Sequence, residues 1–183
     1  GDTSKIISEE SLPMPISPYG ASKLSVEAFS NSYNVSYDMN ISCLRFSNVY
    51  GPRSKKKKSV IATFFKKILN QEKLFVYGDG LQERDYIFVE DVIKAIDLCI
   101  EKQASGVFQI ATGESTNIKT IIEIMKELTE LRFNSEIIYS DIKKGEVYKT
   151  SFSTIKAMEQ INFKARIGLR EGLEKTWKWF REN

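Results

Sequence analysis

Apolar positions recur along this chain in two rhythms, and the rhythm changes from segment to segment. Residues 1–17 are polar and broken by Pro13 and Pro15, which predicts an extended entry. Ser17-Pro18 then has the form of a helix start, with serine as N-cap and proline at the first helical position. No Gly or Pro interrupts 21–39, so this helix is predicted to run to about Tyr37. Residues 41–46 read as a buried strand and 48–53 as the loop that ends it. Ile61, Phe64, Phe65, Ile68 and Leu69 fall at helical spacing. A short strand at 74–77 is closed by Gly78-Asp79-Gly80. A second, at 86–89, leads into a helix that Asp91 would cap, with Val92, Ala95, Ile96, Cys99 and Ile100 turned inward. A strand at 107–111, a helix at 117–131, a strand at 137–139 and helices at 155–161 and 171–181 complete the series. Strands and helices alternate, which predicts an α/β fold with a largely parallel sheet.

Composition narrows what such a fold can do. The 183 residues are 42% hydrophobic and 28% charged, the profile of a globular protein of one domain or two small lobes. Lys and Arg exceed Asp and Glu by only 27 to 24, so no nucleic-acid partner is expected. No apolar run is long enough to span a membrane, and no basic-then-apolar leader opens the chain. Two cysteines make no disulfide framework and suggest a reducing, cytoplasmic setting; Cys43 and Cys99 read as small core fillers. Lys55 to Lys58 reads as a solvated loop, with attraction of an anion as the alternative. Trp177, Trp179 and Phe180 read as packing residues on the last helix.

The chain contains no histidine. That excludes a Ser-His-Asp triad, a Cys-His pair and a zinc-hydrolase site, and no metal ligands are expected. Acid–base chemistry falls to Tyr, Lys, Cys or a carboxylate. Tyr19 and Lys23, four residues apart at the start of the first helix, share one face. A neighbouring ammonium favours the charged form of a phenol, which then takes a proton from a hydroxyl. The spacing alone is weak: with 8 tyrosines in a lysine-rich chain a chance match is expected, and Tyr139 with Lys143 is a second one. A tyrosine merely stacked on a lysine stem is the other reading.

The surroundings of Tyr19 are more specific. Ser17-Pro18-Tyr19-Gly20-Ala21-Ser22-Lys23 resembles the active-site helix of the extended short-chain dehydrogenase/reductase family, in its sugar-nucleotide epimerase and dehydratase branch. Further matches follow in order. They are Arg45-Phe46-Ser47-Asn48-Val49-Tyr50-Gly51-Pro52-Arg53, then Tyr77-Gly78-Asp79-Gly80 with Gln82, Arg84-Asp85-Tyr86, Val89 and Asp91-Val92. Lys143-Lys144-Gly145-Glu146 stands where the family usually has Arg-Pro-Gly-Asp, and Glu171-Gly172-Leu173 with Thr176 and Trp179 resembles its usual ending. The Asn48 to Arg53 stretch looks most like the UDP-glucose 4-epimerase type of member. No GxGxxG occurs, since the position after Gly78 and Gly80 is Glu83. Gly1-Asp2 looks like the end of the family's Val-Tyr-Gly-Asp stretch. The resemblance therefore implies the C-terminal half of such an enzyme, without the Gly-rich turn and the catalytic Ser or Thr, and a chain inactive by itself.

The resemblance implies the C-terminal part of a Rossmann-type parallel sheet plus a smaller α/β substrate-binding lobe. Residues 1–52 would be the remnant of the NAD-binding domain, 53–85 substrate lobe, 86–113 a return to the NAD-binding sheet and 114–183 substrate lobe. The implied reaction is NAD-dependent epimerisation at C4 of a UDP-sugar of the glucose/galactose type, through a 4-keto intermediate. Tyr19 would be the acid/base and Lys23 would hold the nicotinamide ribose and tune Tyr19. Phe46 would approach the nicotinamide, with a core aromatic as the alternative. Asn48 would hydrogen-bond the diphosphate, or else make a loop Asx-turn. Arg84 would fork onto the diphosphate, or else pair with Asp85 or Glu83. Lys143 and Glu146 would contact the diphosphate and a ribose hydroxyl, Phe75 and Tyr77 the uracil, and Ser59 and Val60 the sugar side. A homodimer of the full-length protein is implied, because family members commonly pair through the Tyr-Lys helix and the helix before it, of which this sequence carries one. Two rivals stand: a 4,6-dehydratase or decarboxylase of the same family, and a non-catalytic module binding a nucleotide or a partner.

Overall fold

In a computed structural model, residues 6–129, 133–141 and 148–183 are described. The helices are α1 (Pro18–Tyr37), α2 (Val60–Leu69), α3 (Val89–Glu101), α4 (Ile118–Thr129), α5 (Ile155–Ile161) and α6 (Leu169–Glu182). The strands are β1 (Ser42–Phe46), β2 (Asn48–Tyr50), β3 (Leu74–Tyr77), β4 (Glu83–Phe88), β5 (Gly106–Ile110), β6 (Ser115–Asn117) and β7 (Ile137–Ser140). The α/β class expected from the alternation is the class observed.

Among the described residues three small sheets form. β1 pairs in parallel with β5, Ser42 opposite Gly106 and Phe46 opposite Ile110. β2 pairs in parallel with β4, Asn48 opposite Tyr86, and β6 joins the other edge of β4 antiparallel. β3 pairs in parallel with β7. The loop expected over 48–53 is thus partly a strand: after Ser47 the chain leaves β5 and re-pairs with β4, a partner too remote in sequence for local pattern to show.

β4 lies between two cores, and its alternation serves both. Tyr86 and Phe88 belong to a cluster with Phe65, Leu74, Ile121 and Trp177, under α2, α4 and α6. Ile87 belongs to the other, with Val92, Phe108, Ile110, Ile161 and Phe163. Phe65 stacks on Trp177 with centroids 5.4 Å apart, and Phe180 is 1% exposed, which makes them packing residues as expected.

The α1 boundaries follow the sequence. Ser17 Oγ accepts the Gly20 amide at 3.1 Å, and Asp38, at φ 51°, ends the helix in the left-handed region. Yet α1 buries no residue. Polar clamps hold it. Arg45 on β1 forks onto Glu27 with bonds of 2.8 and 2.6 Å, and that carboxylate raises the guanidinium above its ordinary pKa. Asn34 exchanges bonds of 3.1 and 2.8 Å with the backbone of Ile41 and donates to Ser105 Oγ at 2.8 Å.

Other expectations need correction. Asp91 does not cap α3, which starts at Val89. Its carboxylate accepts the amides of Arg166 and Ile167, at 3.0 and 3.1 Å, and so ties α3 to the approach to α6. Ile96 and Ile100 are exposed, because the buried stripe of α3 runs through Val92, Ala95 and Cys99 only. Cys99 is buried and Cys43 half-buried, neither in a disulfide.

Candidate nucleotide-binding site

Where β2, β3, β4 and the start of α2 meet, they leave a cavity of about 370 Å³. Asn48 and Tyr50 line it from β2, Ser59 and Val60 from α2, Phe75 and Tyr77 from β3, and Arg84 and Tyr86 from β4. Local sequence explains the placement. On β3, Leu74 and Val76 are buried, so alternation turns Phe75 and Tyr77 outward, at 43% and 40% exposure. On β4 the same alternation puts Arg84 beside Tyr86 at the cavity and Asp85 on the opposite side.

Polar groups here are oriented by main-chain partners. Asn48 lies on a strand rather than in an Asx-turn, and its Nδ2 donates to the Asp85 carbonyl at 3.0 Å. Arg84 Nη1 donates to the carbonyls of Glu83 at 2.8 Å and Tyr148 at 3.3 Å. It does not form the side-chain pair considered for it: Asp85 is buried elsewhere and the Glu83 carboxylate meets Lys149 at 2.8 Å. Gln82, 5% exposed, donates to the Tyr77 carbonyl at 2.7 Å, while its Oε1 has no partner among the described residues.

The electrostatic sign of the cavity is one-sided. Among the described lining residues Lys58 and Arg84 are cationic and none is acidic. Ser59 is the N-cap of α2 but its side chain makes no capping bond, so the positive end of that helix faces the same space. An anion of the size of a phosphate or diphosphate suits such a lining. Lys58 belongs to the run of four lysines for which anion attraction is the alternative to a solvated loop; its position directly before a serine N-cap is the signal that singles it out.

Six residues expected at a substrate site, Asn48, Ser59, Val60, Phe75, Tyr77 and Arg84, therefore share one cavity. Tyr19, Lys23 and Phe46 are not in its lining. Lys23 Nζ lies over the Tyr19 ring, 5.4 Å from its centroid, and Tyr19 is 72% exposed. Phe46, at the carboxyl end of β1, is 44% exposed. Lys143 and Glu146 lie outside the described residues.

Parallel strands joined through helices, with a cleft of cationic described lining beside a helix N-terminus, are the arrangement in which α/β proteins hold nucleotides. Comparison with known proteins is more specific. The profile described as GDP-mannose 4,6 dehydratase matches residues 1–176, and the chain belongs to this family of the extended short-chain dehydrogenases/reductases. It is 35% identical over 186 residues to a putative UDP-glucose 4-epimerase of Methanocaldococcus jannaschii, covering all of this chain and 60% of that protein. The UDP-glucose 4-epimerase of Thermotoga maritima, solved with UDP-glucose, superposes with a TM-score of 0.93 at 35% identity, over 100% of this chain and 60% of that one. The Thermus thermophilus UDP-glucose 4-epimerase, solved as a complex with NAD, superposes at 0.90 with 28% identity, over 99% and 60%. This chain thus spans 60% of the length of these relatives. Curated relatives include both UDP-sugar 4-epimerases and dTDP-D-glucose 4,6-dehydratases. Among the described residues no helix is long and apolar enough to cross a membrane.

Proposed function

We propose that the protein is an NAD-dependent UDP-sugar 4-epimerase acting on a sugar of the glucose/galactose type through a 4-keto intermediate. The observation that carries this reading is the convergence of six residues expected at a substrate site, from four separate elements, on one cavity whose described lining is cationic and holds no acidic residue. Arg84 and Asn48 hold the diphosphate, Phe75 and Tyr77 the uracil, and Ser59 and Val60 the sugar side. Lys143 and Glu146 complete the set at the diphosphate and ribose, on the strength of the family motif alone. NAD, when bound, would supply hydride transfer at C4, and Tyr19, Lys23 and Phe46 are the residues of this chain that would hold it. Tyr19 takes the C4 hydroxyl proton and gives it back, and Lys23 holds the nicotinamide ribose and favours the phenolate. The exposed Tyr19, Lys23 and Phe46, at a helix start and at the carboxyl end of a parallel strand, fit such a cofactor. Residues 1–52 and 86–113 are assigned to the cofactor side and 53–85 and 114–183 to the substrate lobe. The setting is cytoplasmic and the assembly a homodimer through α1.

The proposal is tested by titrating this chain with UDP in a calorimeter. Binding heat is expected, with affinity falling about tenfold or more in Arg84→Ala, as for the loss of a charge-assisted bidentate contact. Absence of heat, or an unchanged affinity in the variant, overturns it. A 4,6-dehydratase is the second reading, favoured by the description of the matching family profile. Preference for dTDP over UDP in the same titration would select it.

A further inference from the structure

We propose that Asp85 is a positioning residue that pins the β1–β5 sheet to the nucleotide site, a role that rests on the nucleotide reading of the cavity. Asp85 is fully buried on the side of β4 opposite Arg84. Its Oδ1 accepts Ser47 Oγ at 2.8 Å, both oxygens lie 3.1 Å from the Thr112 amide, and Oδ2 accepts the Gly113 amide at 2.8 Å. None of these donors is a cation; the carboxylate is satisfied by neutral dipoles.

The location of the donors gives the arrangement its meaning. Ser47 is the single residue between β1 and β2, and Thr112 and Gly113 lie between β5 and β6. Those are the two places where the chain leaves the β1–β5 sheet for the sheet built on β4. Both crossings donate to one carboxylate. Gly113, at φ 82°, has the left-handed backbone that a residue with a side chain adopts only with strain. The main chain of Asp85 acts as well, since its carbonyl accepts Asn48 Nδ2. One residue therefore grips Ser47 with its side chain and Asn48 with its backbone, and follows Arg84 directly in the chain. The spacing between Phe46, at the end of β1, and the two polar anchors of the cavity is set at this point.

A variant comparison separates positioning from stability alone. Asp91 is the matched control: it is 5% exposed and accepts two backbone amides, yet it lies outside the cavity lining. Asp85→Asn, Ser47→Ala and Asp91→Asn are compared by melting temperature, by UDP calorimetry and by the Asn48 side-chain amide signals in 15N–1H spectra. An asparagine turns one amide donor toward backbone donors, so Asp85→Asn is expected to shift or broaden the Asn48 signals and to weaken UDP about tenfold. Ser47→Ala is expected to do the same to a smaller degree. Asp91→Asn should lower the melting temperature and leave both the Asn48 signals and UDP affinity as in the wild type. Unmoved Asn48 signals with unchanged UDP affinity in Asp85→Asn overturn the proposal, as does equal weakening in Asp91→Asn. If Asp85→Asn does not fold, Ser47→Ala decides by the same two readings. If the wild type binds no UDP while Asn48 still responds to Asp85→Asn, the nucleotide reading fails and the positioning role stands.

Discussion

In the proposed reaction proton transfer rests on Tyr19, which stands 72% exposed with the Lys23 ammonium over its ring. In a chain without histidine, the phenol is the available group at that helix start. In the enzyme that turns over, Tyr19→Phe is expected to lower kcat by about 100-fold or more while UDP affinity is retained. Steady-state rates and UDP calorimetry on the same variant check this, and a wild-type kcat removes Tyr19 from the reaction. At this scale the sequence was informative wherever several residues made one motif. Asn48, Arg84 and Tyr77 were singled out that way and Phe75 by the family likeness of its strand, and all four line the cavity. It was uninformative where one residue type repeated, since four consecutive lysines gave no sign that Lys58 alone would reach the cavity. Asp85 was visible as part of a motif, but its partners Thr112 and Gly113 are distant in sequence, so its burial was not.

At the scale of elements, helix limits were the most legible feature, because caps and apolar spacing are local. Ser17-Pro18 starts α1 and the periodic run ends at Tyr37, as the structure has it. β6 was not legible: Ser115-Thr116-Asn117 is polar throughout and becomes a strand only by pairing with β4. The packing of α6 was not legible either. A Cβ on Gly172 would collide with the Tyr50 hydroxyl and the Phe88 ring, so α6 approaches β2 and β4 only because that position is glycine. Gly172→Ala is expected to cost about 1–3 kcal/mol in chemical denaturation, as overpacking does, and Tyr50→Phe in the same chain should return part of it. Unchanged stability in Gly172→Ala would contradict this packing. Tyr50 adds a pH signature. Burial, then the charges of Asp91 and Glu171, push its phenol well above the usual 10.0. The folded state thus holds that proton more tightly than the unfolded chain. The associated stability is present below about pH 10 and is lost as pH rises beyond it. Stability measured by denaturation across that range should fall less steeply with pH in Tyr50→Phe.

For the whole molecule, the unusual element is α1, which carries the proposed acid/base yet contributes nothing to either core. Val26, Phe29, Tyr33 and Tyr37 recur every three or four residues along it and are exposed, with the rings of Tyr33 and Tyr37 5.3 Å apart. An apolar stripe of that kind suits the homodimer proposed through this helix. Sedimentation velocity should show concentration-dependent association that Phe29→Asp abolishes without loss of helical circular dichroism. A wild-type chain that stays monomeric at all concentrations would place the dimer contact elsewhere. The fold class was readable from the alternation of elements. The partition of the described strands into three sheets, and of the described core residues into two clusters, was not, because it depends on pairings between residues tens of positions apart.

The opposite faces of β4 have a consequence for how this segment can change over generations. Arg84 and Asp85 are neighbours in the chain but serve opposite sides, so substitutions on one face leave the other untouched. A single-residue insertion or deletion within the strand would instead exchange them. It would drive a guanidinium into the space where two backbone crossings need an acceptor, and would set a carboxylate against the anion proposed for the cavity. The length of this stretch should therefore stay fixed, and indels among homologues should fall in the turns on either side.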